Sequence, residues 1–243
     1  MDVIRLPGIH HDTSVTILTD DSEAILIDTG TSWHQVNTEE RIRSKIQHGN
    51  LDAILLTHRH YDTAGAAAHL ANVFDATTHA HGNALNSLAS NDQLTTWASR
   101  FDSDMPPTPA QAIENGWRRT IGGLEIEAIH TPGHTSCHTS FLLEELGILV
   151  TGDLFPAAKT PGRTDFPTGN IVQMKDSIKQ VRDLDIDTLI PSRGETIRGN
   201  AIEESLTQHL DFFDSMIEAK GVIPKEWPIP ATTCMWWTPK PEW

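Results

Sequence analysis

The sequence predicts one α/β domain in which two sheets lie between outer layers of helices. Each half of the chain begins with short apolar runs typical of strands and continues into segments with helical periodicity. The 243 residues suffice for one large domain or two small ones. Two half-sheets, each followed by helices, favour a single helix–sheet–sheet–helix sandwich.

The first half is predicted to start with antiparallel strands and then to alternate helices with strands. Between the strands, the polar amphipathic stretch after Gly30 predicts a helix that reaches His48, and the alanine-rich stretch 64–70 predicts another. The run 53–56 is short, continuous and aliphatic, which is typical of a strand covered on both faces. The predicted strands are residues 3–6, 14–18, 24–27, 53–56 and 77–79.

The second half is again sheet first, after a segment at 83–117 that is mostly polar and helix-like. This segment contains a proline-rich break and is predicted to be an inserted cap or lid. The domain is placed at residues 1–220, and the Pro- and Trp-rich tail 221–243 has no predicted structure. The predicted elements are strands at 118–121, 124–129, 139–143, 148–151 and 188–190, a helix at 171–184, and a last helix with the apolar stripe Ile202, Leu206, Leu210, Phe213 and Ile217.

The composition excludes several classes of partner. The chain has 18 Lys and Arg against 33 Asp and Glu, a formal charge of −15, which disfavours nucleic acids and anionic membrane surfaces. No apolar run approaches the roughly 20 residues that span a bilayer, and the first residues lack a signal-peptide pattern. With Cys137 and Cys234 as its cysteines, the chain suits a reducing compartment. We therefore expect a cytoplasmic protein that acts on a small-molecule substrate.

A group of histidines and aspartates points to metal chemistry. His58, His60 and Asp62 follow the buried strand 53–56 at alternate positions. Neutral imidazoles bind borderline metals, and two ring nitrogens one residue apart can converge on one ion from a loop. His134 and Asp153 also follow strand-like runs, each in a glycine-containing turn. Three loops would then supply ligands at one edge of the sheets.

These residues carry a resemblance to the metallo-β-lactamase-fold hydrolases, the superfamily of glyoxalase II-like thioesterases and lactonases. The resemblance implies a four-layer αββα sandwich with the site between the sheet edges. It also implies that His58, His60, His134 and Asp153 surround the first metal and that Asp28 buttresses the loop that carries His58 and His60. We expect one divalent ion there, zinc before the alternative iron(II). The resemblance rests on five motifs in the family's order, at residues 26–30 (LIDTG), 57–62 (THRHYD), 130–135 (HTPGHT), 151–153 (TGD) and 190–194 (IPSRG).

Two positions depart from the family's pattern. Thr63 stands where the loop usually ends in a histidine, and Arg193 stands where the late Pro-Gly-His-Gly motif has its histidine. Both missing imidazoles would bind a second metal, and a hydroxyl is a poor substitute at a borderline ion, so the second metal site is predicted to be empty. We hypothesise that Arg193 pairs there with Asp62 in a planar, bidentate contact, or that it binds a substrate carboxylate.

Three functions stay open on the sequence. The first is a mononuclear hydrolase that cleaves an ester, lactone or thioester with metal-bound hydroxide, in which Asp62 orients or deprotonates the water. In that enzyme Arg193 stabilises the second site or an anionic substrate. The second is an iron enzyme that resembles the family's mononuclear persulfide dioxygenases. The third is a protein without catalysis that binds a ligand or partner. The aromatic tail also leaves a homodimer contact open.

Overall fold

The computed structural model describes residues 1–46 and 49–238 and contains two six-stranded sheets packed face to face. The first sheet has its strands in chain order, β1 Asp2–Leu6, β2 Val15–Thr19, β3 Ala24–Ile27, β4 Ala53–Leu55, β5 Thr77–His81 and β6 Gln111–Ile113. The second sheet has the order β12 to β7, with β7 Arg118–Ile121, β8 Leu124–His130, β9 Thr139–Leu143, β10 Ile148–Gly152, β11 Thr188–Pro191 and β12 Ile197–Arg198.

Strand direction determines where the loops of the site emerge. In the first sheet β1, β2 and β3 pair antiparallel, and β3 to β6 pair parallel. Ile27 lies opposite Leu55, and Leu55 lies opposite His79, so the carboxyl ends of these parallel strands meet at one edge. In the second sheet β10 and β11 are parallel, and the other neighbours are antiparallel.

Helices cover the outer face of each sheet. Ile42 and Leu70, from the first and third helices, pack with Leu26 and Ile54 of the first sheet, and the last two helices pack on the second sheet. A separate apolar layer lies between the sheets. The predicted αββα sandwich is therefore confirmed. The helices are α1 Gln35–Arg43, α2 Tyr61–Ala64, α3 Ala67–Phe74, α4 Leu85–Ala89, α5 Ile171–Arg182 and α6 Asn200–Glu218.

Local sequence explains the two long helices of the second half. Asn170 caps α5, because its side-chain oxygen accepts from the backbone N–H groups of Val172 and Gln173, both at 3.0 Å. In α6 the predicted stripe is buried as far as Phe213. Met216 is then the buried side chain in the last turn, whereas Ile217 is half-buried.

The segment 83–117 differs from the expected helical lid. Its α-helix is the five-residue α4, and residues 111–113 form β6, the edge strand of the first sheet. An edge strand of three residues is too short to show an alternating pattern, so sequence periodicity could not detect it. The two-residue β12 was missed for the same reason. The helix predicted to reach His48 ends at Arg43, and His48 itself lies outside the described residues.

The tail folds back onto the domain. The ring of Trp227 packs on Phe212 with centroids 4.8 Å apart, and the backbone N–H of Trp237 donates to the Pro161 carbonyl at 2.8 Å. The part of the tail that the structure describes, residues 221–238, therefore packs on both halves of the domain, with Trp227 and Trp237 against the core of the second half and Met235 in that of the first. Within residues 1–46 and 49–238, no helix has both the length and the apolar character needed to cross a membrane.

Candidate metal centre

Three buried histidines meet at the edge where the two sheets face each other. His58 and His60 follow β4, and His134 lies in the loop after β8. One ring nitrogen from each histidine lies within 4.8 Å of the others. Asp153, the residue after β10, brings its Oδ2 to 3.4 Å from His134 Nε2 and 3.9 Å from His58 Nε2. The four predicted ligands are thus brought together, two from each sheet.

The spacing and the unpaired atoms fit a small divalent cation. Ligands at about 2.0–2.2 Å from a tetrahedral zinc lie roughly 3.3–3.6 Å from one another. The shortest separation in the set is 2.9 Å, between His60 Nδ1 and His134 Nε2. Asp153 Oδ2 is buried and has no hydrogen-bond partner among the described residues. A buried carboxylate oxygen without a partner is unfavourable unless a cation compensates it, so this set of donors suits a metal.

Hydrogen bonds orient two of the three imidazoles. Nδ1 of His134 lies 2.8 Å from the carbonyl oxygen of Arg163, and since a carbonyl only accepts, this nitrogen carries the proton. Nδ1 of His58 lies 3.0 Å from the Thr57 hydroxyl, which itself donates to Asp28 at 2.9 Å. Both rings therefore present an unprotonated Nε2 to the centre, as metal-binding histidines with outer partners do.

Asp28 fastens the loop that carries His58 and His60, residues 57–62, to the end of β3. Its backbone has a φ of 64°, a left-handed conformation that aspartate tolerates better than most residues. Its Oδ1 accepts from the backbone N–H of Thr57 at 2.8 Å. Burial raises the pKa of Asp28 to about 8, and the charges of Asp153 and Asp62 act in the same direction, while the bonds from Thr57 oppose it. The contact is the buttress that the family resemblance implied.

The environment keeps the histidines neutral. Burial lowers the pKa of both His58 and His60 well below its usual range, and the nearby His134 lowers it further. Burial also lowers the pKa of His134, although Asp153 opposes this shift. Neutral imidazole is the form that coordinates a metal, so the protein needs no proton release from these rings before binding.

Arg193 lies at the carboxylate side of the centre. Its Nη2 donates to Asp62 Oδ2 and lies 3.8 Å from Asp153 Oδ2. The contact with Asp62 involves one guanidinium nitrogen, so the hypothesised bidentate geometry is absent. Burial raises the pKa of Asp62, and Arg193 opposes that rise. The hydroxyl of Thr63 lies 3.4 Å from His58 Nε2, beside the ligand set.

Sequence reasoning missed several contacts of the site. The hydroxyl of Ser192 donates to Asp153 Oδ1, and the ring of Trp236 lies 4.6 Å from the guanidinium carbon of Arg193. The backbone carbonyl that binds His134 belongs to Arg163, 29 residues later in the chain, and no sequence motif indicates this contact. Cys137, expected as a small buried residue, is 1% exposed.

Comparison with known proteins agrees with this geometry. The model of the metallo-beta-lactamase superfamily matches residues 9–193. A probable metallo-hydrolase of Methanocaldococcus jannaschii is 34% identical over 180 residues, which cover 70% of this chain and 82% of that protein. The atrochrysone carboxyl ACP thioesterase of Aspergillus fumigatus is 26% identical over 202 residues, which cover 82% of this chain and 55% of the thioesterase.

Solved structures show the same fold. The crystal structure of ETHE1 from Myxococcus xanthus superposes with a TM-score of 0.68 at 22% identity, and the match covers 93% of each chain. At that identity the likeness concerns the fold alone. The family model, by contrast, covers most of the chain, including every strand loop that carries a candidate ligand. The chain therefore belongs to the metallo-beta-lactamase superfamily, and its similarity to metallo-hydrolases of that family confirms the expected class of enzyme.

Proposed function

We propose that the protein is a mononuclear metal-dependent hydrolase that cleaves an ester, lactone or thioester bond. The observation that carries this proposal is the convergence of three neutral histidines and Asp153, with an arginine rather than a histidine beside Asp62. The metallo-hydrolase and thioesterase relatives support the reaction class.

The first-metal ligands would be His58, His60, His134 and Asp153. When bound there, a divalent ion lowers the pKa of water toward neutrality and polarises a carbonyl oxygen. The protein's own contribution is a rigid set of donors, since Thr57 and the Arg163 carbonyl orient two of the rings. The set is shielded from bulk solvent, because all four ligand residues are at most 1% exposed.

Asp62 is placed to hold a proton. Its Oδ2 is engaged by Arg193, while its Oδ1 is buried and has no partner in the described part of the chain. Because burial raises the pKa of this carboxyl, Oδ1 is a suitable acceptor for a proton from the attacking water. Arg193 keeps the carboxylate oriented while that transfer takes place.

Arg193 also supplies a fixed positive charge. One cation on a side chain replaces part of the charge that a second ion would bring, and it requires no loading. Its Nε and Nη1 are buried donors without a partner among residues 1–46 and 49–238. Unpaired guanidinium donors of this kind bind an anionic group in a planar geometry, and we assign them to the substrate.

The test begins with metal analysis of protein purified without added metal. We expect about one zinc per chain and hydrolysis of an aryl ester or an acyl thioester. Asp62→Asn should keep the metal and lower kcat by about 100-fold or more, as loss of a general base does. The matched control, Arg182→Ala on the outer surface of α5, should leave kcat unchanged.

Other outcomes separate the alternatives. One iron per chain, with oxygen uptake on a persulfide substrate, would replace the hydrolase by a dioxygenase. Two ions per chain would contradict the mononuclear site. A chain that binds no metal and hydrolyses nothing would identify a protein that keeps the fold without the catalysis.

A further inference from the structure

The C-terminal segment 231–237 returns to the metal centre from outside the region that the family model matches. The backbone N–H of Arg163 donates to the Met235 carbonyl at 3.1 Å, and the N–H of Trp237 donates to the Pro161 carbonyl at 2.8 Å. A bridge between Gly162 and Trp236 completes this pairing. The segment is thereby held alongside residues 161–163.

Arg163 connects this segment to a candidate ligand. Its carbonyl oxygen accepts from His134 Nδ1 at 2.8 Å. Its guanidinium, which is buried, donates to the carbonyls of Cys234 at 2.7 Å and Ala231 at 3.3 Å. Asp165 binds the other side of the guanidinium through two contacts of 2.9 and 2.8 Å. The backbone of this one residue therefore orients the imidazole while its side chain is anchored in the C-terminal segment.

The same segment covers the other side of the centre. The indole of Trp236 lies over the guanidinium of Arg193, at 4.6 Å from ring centroid to guanidinium carbon. Met235, next to it, is fully buried in the core of the first half. Residues 231–237 thus contact both the histidine side and the arginine side of the centre.

We propose that residues 231–237 are a positioning segment of the metal centre and that Arg163 is the positioning residue through which they act on His134. The inference rests on the proposed metal-dependent function. Arg163 touches neither metal nor substrate. It holds the carbonyl that keeps the proton on Nδ1 of His134 and leaves Nε2 free to bind.

The experiment measures zinc affinity by competition with a chromophoric chelator for the full chain and three variants. Arg163→Ala keeps the backbone carbonyl but removes the side chain that anchors it, and it should weaken zinc binding by up to about 10–100-fold, the effect of losing an outer partner of a ligand. Arg163→Lys keeps one cationic donor for the Cys234 carbonyl and should restore part of the affinity. Arg182→Ala, an arginine remote from the centre, should bind zinc as the unaltered chain does.

Two further measurements separate positioning from folding. The Tm of the metal-free variants shows whether Arg163→Ala is folded at the assay temperature, and the visible spectrum of the Co²⁺-loaded protein reports on ligand geometry. We expect a folded Arg163→Ala variant with an altered Co²⁺ spectrum. If that variant does not fold, Arg163→Lys carries the test, with an affinity several-fold below that of the unaltered chain.

The contrary results are distinct. Equal zinc affinity in the unaltered chain, Arg163→Ala and Arg163→Lys would overturn the inference and leave the metal site intact. An equal loss in Arg182→Ala, or a loss that only follows the unfolded fraction, would overturn it as well. A chain that binds no zinc at all in its unaltered form would contradict the proposed function, and this inference with it.

Discussion

The Nη2 of Arg193, in the loop between β11 and β12, donates to the carboxylate of Asp62 in α2, 131 residues earlier in the chain. Asp62 follows a strand of the first sheet, Arg193 follows a strand of the second, and Asp62 is fully buried. A side-chain cation is therefore fixed beside the carboxylate, at position 193, where the family resemblance implies a histidine. This contact makes the number of metal ions the first property to test.

Replacing the two residues that differ from the family pattern, Thr63 and Arg193, should restore a second metal. The double variant Thr63→His and Arg193→His supplies two imidazoles next to Asp62 and Asp153, so we expect the metal content to rise from one to two ions per chain. Elemental analysis of the dialysed protein measures it. Thr63→His alone is the control, because Arg193 still opposes a second cation there. A double variant that still holds one ion would show that the late loop does not face the metal.

Removing the arginine should destabilise the metal-free fold. Arg193→Met leaves the buried Asp62 without its cation, and breaking one partner of a buried pair costs about 3–5 kcal/mol in free energy of unfolding. Urea denaturation in the presence of a chelator measures this value. Adding Asp62→Asn removes the unpaired charge and should recover a large part of the loss. Strictly additive effects of the two substitutions would mean that the contact contributes nothing to stability.

The loop before His134 should not accept a larger residue than glycine. Gly133 has a φ of 144°, and a Cβ there would overlap the backbone of Met174 in α5. We expect Gly133→Ala to lower the free energy of unfolding by about 2–4 kcal/mol, in the range of strained or overpacked sites, and to weaken zinc binding. Gly221→Ala is the matched control, since Gly221 has a φ of 84° but no atom within 4 Å of the added carbon. Equal losses in both variants would assign the effect to backbone strain alone.

Acid sensitivity should depend in part on His209. Burial lowers the pKa of this histidine from 6.5, whereas the unfolded chain keeps the ordinary value. Below pH 6.5 the unfolded state therefore binds more protons, and stability falls as the pH falls until the folded-state pKa is reached.

The variant His209→Asn lacks this titration but keeps a donor for the Ser205 carbonyl, which His209 Nδ1 approaches at 2.7 Å. The difference in free energy of unfolding should shift in favour of the variant by about 1.4 kcal/mol for each pH unit below 6.5. Chemical denaturation of the metal-free proteins between pH 5 and 8 measures it. A difference independent of pH would mean that His209 has the same pKa in the folded and unfolded states.

The sequence predicts the sandwich because central strands such as β3 and β4 are continuous apolar runs. The strand β4 is recognised because Ala53–Leu55 is aliphatic throughout, and it places the first histidines at a sheet edge. The ligand motifs are found because they follow strands directly. The opposite charges and the place of Arg193 in the late motif predict its pairing with Asp62. The single-nitrogen geometry of that contact depends on the path of the loop between β11 and β12, which the local sequence does not determine.

Contacts that no sequence motif marks could not be predicted. The carbonyl that orients His134 is the backbone carbonyl of Arg163, and since every residue has such a group, the residue type does not indicate the contact. The tail has no periodicity because residues 231–237 are fixed by individual backbone bonds and by the packing of Met235 and Trp237, not by a helix or sheet face. The edge strand β6 could not be predicted either, because three residues are too few to show an alternation of apolar and polar side chains.

The candidate ligands are divided equally between the halves of the sandwich, His58 and His60 on one side and His134 and Asp153 on the other. Each half supplies only two of the four candidate ligands. An ion bound at this seam would link the two halves of the sandwich. Its removal by a chelator should therefore lower the free energy of unfolding of the whole sandwich.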